Sequence, residues 1–185
     1  MIWVFVINNS MANSDYIQGV IDAAKGKPYS TDWYQNKIKE FGQPGRLDLI
    51  RDGKQNTSPF GKSLNMFVYG PKFKKTLPYY DTFPLVLPLE KYKDGFLGIN
   101  FHYLPIPLRM KLLDRMLDFD LNASYSAIKG ISLVKPTIHK YLAGYTKSMF
   151  RKIDEDELVV ATLLPVHNFK KSSASAVWSD SRKMV

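Results

Sequence analysis

The sequence predicts an α+β fold in which helices flank a small antiparallel β-barrel, with an SH3-like barrel as one form of that core. Two observations lead to this prediction. Three short apolar runs, residues 64–69, 83–89 and 96–104, are separated by turns rich in Pro, Lys and Gly, as in an antiparallel meander. The segments on either side space their apolar residues three and four apart, which is typical of helices.

The chain is expected to have two parts. Its 185 residues are enough for one domain with an appendage. Residues 1–62 are predicted to form N-terminal helices and an extended arm, and residues 63–185 one compact unit with the barrel and the C-terminal helices. Apolar faces indicate helices at 14–25 and 32–41, and Gly, Pro and polar residues fill the arm at 43–62.

The three apolar runs differ in their predicted roles. The third run alternates large apolar residues with small or polar ones, which is the period of a half-buried strand. The second run contains Pro84 and Pro88, which cannot donate to a ladder, so it is predicted to be an edge strand or a strand with irregular ends. Between these two runs, Asp94 and Gly95 form a common hairpin signal.

The last third of the chain is predicted to be mainly helical. Pro107 suits the first turn of a helix that runs over residues 107–117, and apolar residues recur at helical spacing over 136–153. Residues 158–164 are short and rich in β-branched side chains, so they are predicted to form a strand. A final short helix is expected at 172–183.

Composition narrows the classes of function. Lys and Arg total 26 against 17 Asp and Glu, a net charge of +9 that favours nucleic acid, an acidic protein surface or a membrane face as partner. A basic surface that simply keeps the protein in solution is the alternative. The chain has no cysteine, which excludes disulfides, thiolate metal sites and cysteine nucleophiles. Since no apolar run approaches 18 residues, no transmembrane helix is expected.

Motifs for catalysis and cofactor binding are missing from the sequence. It has no glycine-rich phosphate loop, no nucleophile elbow and no HExxH pair. We therefore predict no catalytic residue, no cofactor and no metal site. His102 is expected to be a hydrogen-bonded structural residue on a strand, and His139 an exposed residue on a helix. His167 has no assigned role, and the acids at 154–157 are interpreted as a solvated turn.

Basic and aromatic residues alternate in the turn after the first apolar run. Such a mixture suits terminal or single-stranded nucleic acid, because lysines meet phosphates and rings stack on exposed bases. An acidic partner protein would also fit. In the alternative interpretation the rings belong to the core and the lysines only solvate the turn and protect a strand edge. The candidate contact residues are Lys72, Lys74, Lys75, Tyr69, Phe73, Tyr79 and Tyr80, with a second basic pair at Lys170 and Lys171.

Four blocks of the sequence carry a family resemblance. Residues 32–42 (DWYQNKIKEFG), 77–90 (LPYYDTFPLVLPLE), 95–105 (GFLGINFHYLP) and 163–183 (LLPVHNFKKSSASAVWSDSRK) resemble a small virion protein family of T-even-type contractile-tailed phages and their marine relatives. The resemblance covers about residue 31 to the C-terminus. It points to the group that protects DNA ends or completes the head, with a baseplate or neck group as the competing assignment.

The resemblance implies a non-enzymatic structural or assembly protein of the virion, made in the host cytoplasm, that protects or contacts genome DNA ends. One alternative is a baseplate, tail or neck component that joins larger subunits without touching DNA. Another is a small phage nuclease or other enzyme. The expected partners are other virion proteins and DNA, with no membrane and no small-molecule substrate. No catalytic residues accompany the resemblance.

Overall fold

The computed structural model describes residues 55–185, where helices and an antiparallel sheet combine in an α+β fold. The predicted helices at 14–25 and 32–41 lie outside the described residues, as do residues 43–54 of the predicted arm. The division of the chain into an N-terminal part and one compact unit therefore stays a prediction.

The described strands form a six-stranded antiparallel sheet and a separate two-stranded ribbon. In chain order the strands are β1 (Gln55–Asn56), β2 (Asn65–Met66), β3 (Tyr80–Asp81), β4 (Leu85–Tyr92), β5 (Gly95–Asn100), β6 (Ile138–Leu142), β7 (Phe150–Lys152) and β8 (Phe169–Lys170). The large sheet has the order β1-β7-β2-β4-β5-β6, and the ribbon pairs β3 with β8. The predicted hairpin is confirmed, because β4 and β5 are antiparallel neighbours joined through Lys93 and Asp94.

The large sheet is open within residues 55–185. Its edges are β1 and β6, and no pairing in this part of the chain joins them. The predicted closed barrel is therefore not found, and the SH3-like form is not confirmed. The strands at the β1 end of the sheet are only two or three residues long, whereas closure requires strands that tilt and stagger around the whole circumference.

Four α-helices complete the described part of the chain. They are α1 (Ile106–Leu117), α2 (Tyr125–Ile128), α3 (Leu158–Leu163) and α4 (Ala174–Arg182). The helices predicted at 107–117 and 172–183 are confirmed. Short 3-10 helices lie at Phe101–Tyr103, Ser132–Thr137, Ala143–Tyr145 and Glu155–Glu157. Among residues 55–185, no helix has the length and apolar character needed to cross a membrane.

The second apolar run forms a central strand that is irregular near its prolines, so of the two predicted possibilities the edge strand is wrong. Strand β4 lies between β2 and β5. Pro84 precedes the strand, and the pairing with β5 shifts register just after Pro88. Both prolines thus occupy positions where the regular ladder does not need an N–H donor, which is how a central strand accommodates them.

The third apolar run is a strand for only part of its length. At the end of β5, the Asn100 side chain accepts a hydrogen bond from the backbone N–H of His102 at 3.0 Å. This cap turns the chain into the 3-10 helix Phe101–Tyr103. The predicted alternation of faces therefore stops at Asn100, and all three residues of the turn are buried.

Two predictions in the last third are wrong. Residues 136–153 contain β6 and β7 rather than a long helix. Their apolar spacing fits a helix, but a strand beside β5 also buries Tyr141 and exposes Lys140. Residues 158–164 mostly form α3 rather than a strand. There, packing in the main apolar core outweighs the strand preference of the β-branched side chains.

Apolar side chains fill both faces of the sheet. Leu85 and Leu87 of β4 lie in the main core together with residues of α1 and α3. Val86 points to the opposite face, as expected for adjacent residues of a strand, and packs in an aromatic cluster. We define this cluster as Phe67, Tyr69, Phe96, Tyr141 and Phe150. Its rings interlock mostly edge to face, with centroids as close as 4.9 Å.

Arg109 of α1 is fully buried, and its guanidinium holds several segments together. Its Nε donates to the carbonyl of Leu104 at 2.7 Å, and Nη1 donates to the carbonyl of Leu164 at 3.3 Å. Its Nη2 donates to the carbonyl of His102 at 3.4 Å. The Trp178 ring of α4 lies against the same guanidinium at 5.6 Å. One side chain therefore links the β5–α1 connection, the end of α3 and the C-terminal helix.

We expect Tyr141→Asp to lower the free energy of unfolding by roughly 3–5 kcal/mol or to prevent folding, because it removes a buried ring and leaves an unpaired charge in the aromatic cluster. Urea denaturation measures the loss. Tyr125→Asp is the matched control, since that ring is 38% exposed. Equal stability of the two variants would contradict the packing described for Tyr141.

Candidate nucleic-acid interface

The fold brings the two predicted basic segments together. The β3–β8 ribbon pairs Tyr80 with Lys170, which places the turn at 72–76 beside the residues that follow β8. Lys171 Nζ donates to the backbone carbonyls of Lys75 at 2.8 Å and Leu77 at 3.0 Å, across 96 and 94 residues of sequence. Five lysines thus share one region, which we call the basic surface: Lys72, Lys74, Lys75, Lys170 and Lys171.

Backbone hydrogen bonds hold the turn that carries three of these lysines. The Phe73 carbonyl accepts from the N–H groups of Thr76 and Leu77, each at 3.0 Å, and from the Thr76 hydroxyl at 3.1 Å. The N–H of Lys74 donates to the carbonyl of Pro71 at 3.3 Å. With its own polar groups engaged in this way, the turn has a defined shape that directs the lysine side chains into solvent.

The charges of the basic surface are available to a partner. All five lysines are exposed, and within residues 55–185 none of them forms an ion pair with a carboxylate. Lys72 Nζ lies 5.4 Å from the centre of the Phe73 ring. A concentration of cations without neighbouring anions creates a positive potential that attracts a polyanion.

Three of the four predicted aromatic residues border the basic surface. Phe73 is 60% exposed, and Tyr79 and Tyr80 are partly exposed. Tyr69 is only 6% exposed and lies in the aromatic cluster. Its hydroxyl accepts a hydrogen bond from the N–H of Leu142 at 3.1 Å. Tyr69 therefore supports the region from inside the core, and the other three rings are the ones that a ligand can reach.

A cleft of about 730 Å³ opens beside the basic surface. It lies between the basic turn, the first residues of β6 and the end of α4. Its wall includes Phe73, Tyr79, Tyr103, Lys135, His139 and Met184. The cleft is not predictable from sequence patterns, since its walls come from segments that are distant in the chain.

Asp81 of strand β3 forms a buried pair with His102 of the 3-10 helix that follows β5. Asp81 Oδ2 and His102 Nδ1 are 2.7 Å apart, which confirms the prediction that His102 is a hydrogen-bonded structural residue. Asp81 Oδ1 accepts from the N–H groups of Phe83 and Asn168, both at 3.0 Å. Burial alone would raise the pKa of Asp81, but the charge of His102 and these hydrogen bonds outweigh burial and lower it. The carboxylate therefore ties both strands of the ribbon to the main core.

The other two histidines also serve the structure. His139 lies on β6 with its ring 4.0 Å from that of Tyr103, so the prediction of an exposed helical residue is wrong. Burial lowers the pKa of His139 to about 4, which keeps the ring neutral at physiological pH. His167 Nδ1 lies 3.5 Å from Arg109 Nη2, and its ring packs on Trp178 at 5.2 Å.

The acidic segment gives no indication of a cation site. It forms the 3-10 helix Glu155–Glu157, and Glu157 pairs with Arg151 at 3.6 Å. Within the described residues, no cluster of three or more histidines and acids has an arrangement that could hold a metal ion.

Comparison with models of known protein families gives a match over most of the chain. Residues 4–181 match the family model described as phage T4 terminal DNA protecting protein. The resemblance to a T-even-type DNA-end protector family is thereby confirmed, and it extends further toward the N-terminus than the four sequence blocks indicate. Comparisons with curated proteins and with solved structures found no match.

The Asp81 pair generates a prediction about acid stability. Since folding lowers the pKa of Asp81, its contribution to stability is complete above the unfolded value of about 3.9 and is lost as the pH falls through the folded value. We expect Asp81→Asn to be less stable than wild type at pH 7 and to lose less stability on acidification. Urea denaturation at pH 7 and pH 3 measures both. The exposed Asp114→Asn is the control, and a pH profile of Asp81→Asn parallel to that of wild type would refute the prediction.

Proposed function

The chain belongs to the phage T4 terminal DNA protecting protein family, and from this we propose that it binds the ends of phage genome DNA and shields them in the virion. The family is described by protection of DNA and not by an enzymatic activity. The proposed role is accordingly that of a structural component of the virion that catalyses no reaction. The nuclease alternative has no support from the family description.

The observation that carries the proposal is the assembly of the basic surface from two distant segments. Lysines from the turn at 72–76 and from the end of β8 meet through the ribbon and through the hydrogen bonds of Lys171. Partly exposed aromatic residues adjoin them. Phosphates and exposed bases are the two groups that DNA ends present together, and this surface offers a partner for each.

The chemistry of the surface indicates how it would recognise DNA. Lysine ammonium groups contact phosphates as point charges and carry no sequence information. Stacking on tyrosine or phenylalanine tolerates every base, because each base has a π face. The expected binding is therefore independent of sequence, strongly dependent on salt, and preferential for ends where bases are unpaired or frayed.

An assembly role in the virion is a second candidate. Leu117 at the end of α1 and Phe119 just after it are 47% and 37% exposed, which leaves apolar surface there that another protein could cover. They lie outside the basic surface, so contact with a virion protein is compatible with DNA binding. A baseplate, tail or neck component without DNA contact would instead have no DNA affinity, which the next experiment distinguishes.

Combined replacement of Lys72, Lys74 and Lys75 by Ala is expected to weaken DNA binding and to flatten its salt dependence. Each phosphate contact contributes roughly 0.9 to the slope of log affinity against log salt, so the slope should fall by up to about three. Titration of a linear duplex at several salt concentrations measures the slope.

The matched control replaces three other exposed lysines, Lys91, Lys111 and Lys129, with Ala. Both variants lose the same net charge, and only the first removes the basic surface. The control should keep most of the wild-type slope. Equal slopes for the two variants would show that net charge alone governs binding. If the wild-type protein does not bind DNA, the DNA-binding proposal is wrong and the assembly role without DNA contact is favoured.

Protection of ends gives a second, independent prediction. Wild-type protein at saturating concentration should slow digestion of a linear duplex by an exonuclease that starts at ends, and should leave an endonuclease that cuts internally unaffected. The variant without Lys72, Lys74 and Lys75 should lose this protection in proportion to its loss of affinity. Comparable slowing of both nucleases would indicate general coating of the duplex and not protection of its ends.

A further inference from the structure

From the cleft beside the basic surface we infer a binding site for one unpaired nucleotide at the end of the DNA, with its base against Tyr79 and its phosphate near Lys72 and Lys135. This inference rests on the proposed function and adds to it the group that distinguishes an end from the interior of a duplex. The basic surface alone attracts any duplex, since phosphates are the same along its whole length.

The size and position of the cleft suit this ligand. Its volume of about 730 Å³ lies within the range of roughly 300–1,000 Å³ that is common for small-molecule sites. Lys72 and Phe73 belong both to the basic turn and to the wall of the cleft. A strand that follows the lysines of the basic surface is therefore led directly to the opening.

The wall of the cleft offers a supported aromatic face. Tyr79 is partly exposed, and its ring packs on Tyr103 with centroids 6.0 Å apart. Tyr103 also packs against His139 at 4.0 Å and against Phe169 at 5.2 Å. Tyr103 is 7% exposed, so Tyr79 is the ring of this row that a ligand can cover. Because Tyr103 already restricts the Tyr79 side chain, Tyr79 loses little conformational entropy when a base stacks on its exposed face.

The charges in the cleft indicate where the phosphate would lie. Asp94 pairs with Lys140 at 2.8 Å, and the Asp81 carboxylate is buried against His102, so both acids of the wall are compensated. Lys72 and Lys135 are exposed and have no ion-pair partner within residues 55–185. They leave a net positive rim, which complements a terminal phosphate.

The interior of the cleft suits a base better than a phosphate. His139 is neutral because burial lowers its pKa to about 4, and its Nε2 has no hydrogen-bond partner among the described residues. A neutral floor beside aromatic walls disfavours an anion and accepts a flat heterocycle. An unpaired base enters at lower cost than a paired one, because extracting a paired base costs a few kcal/mol of pairing and stacking.

The test uses a duplex with a short single-stranded overhang that carries 2-aminopurine at its last nucleotide. Wild-type protein should quench this fluorophore on binding and should not quench 2-aminopurine at an internal paired position. Tyr79→Ala should abolish the quenching and weaken binding to the overhang duplex by roughly 5- to 150-fold, the usual effect of removing one stacking ring. Lys135→Ala should weaken the same complex to a smaller extent.

Two controls make the result specific to the cleft. Tyr125→Ala removes an exposed ring outside the cleft and should keep both quenching and affinity. A covalently closed circular duplex has no unpaired nucleotide, so Tyr79→Ala and wild type should bind it equally. Thermal denaturation verifies that each variant is folded, and the fluorescence of the wild-type complex tests the inference even if Tyr79→Ala does not fold.

The outcomes separate this inference from the proposed function. Salt-dependent DNA binding without quenching of the terminal fluorophore would overturn the cleft site and leave the basic surface in place. An equal loss of affinity by Tyr79→Ala for circular and overhang duplexes would overturn it as well. Absence of binding to every DNA would overturn both proposals, whereas terminal quenching that depends on Tyr79 supports both.

Discussion

The buried guanidinium of Arg109 is the constraint on which the arrangement of the described residues depends. A charge removed from water is costly unless polar groups surround it, and backbone carbonyls from several segments do so here. The Leu164 carbonyl lies just past α3, where the helix dipole favours a cation. Trp178 packs on the same group and donates its indole N–H to the carbonyl of His102 at 2.9 Å. Through these bonds Arg109 fixes α4, whose end forms part of the cleft wall.

The carboxylate of Asp81 has a similar role on a smaller scale. A ribbon of two residues per strand has too few ladder bonds to be stable by itself. Asp81 adds hydrogen bonds from Phe83 and Asn168, on both sides of the ribbon, and a buried contact with His102. The basic surface therefore has a rigid base, to which Lys171 also contributes through its hydrogen bonds to the carbonyls of Lys75 and Leu77.

Local patterns predicted the elements whose stability is mostly local. The helix around Pro107 and the hairpin at Asp94 carry capping and turn signals within a few residues. Residues 136–153 were misassigned because their apolar spacing satisfies a helix and a paired strand alike, and only β5 decides between them. The lysines and rings of the site were identifiable by type. Sequence patterns do not show that these residues come together. Their assembly depends on pairing across almost 90 residues and on the unforeseen roles of Asp81 and Arg109.

The long-range closure of the β3–β8 ribbon also has a consequence for biosynthesis. Contacts between distant parts of a chain form late, because closing a long loop costs conformational entropy before the new contacts stabilise it. The turn at 72–76 leaves the ribosome well before its partners, and Lys171 cannot brace it until more than 90 further residues have emerged. A nascent chain that has not yet reached β8 therefore lacks the joined set of lysines.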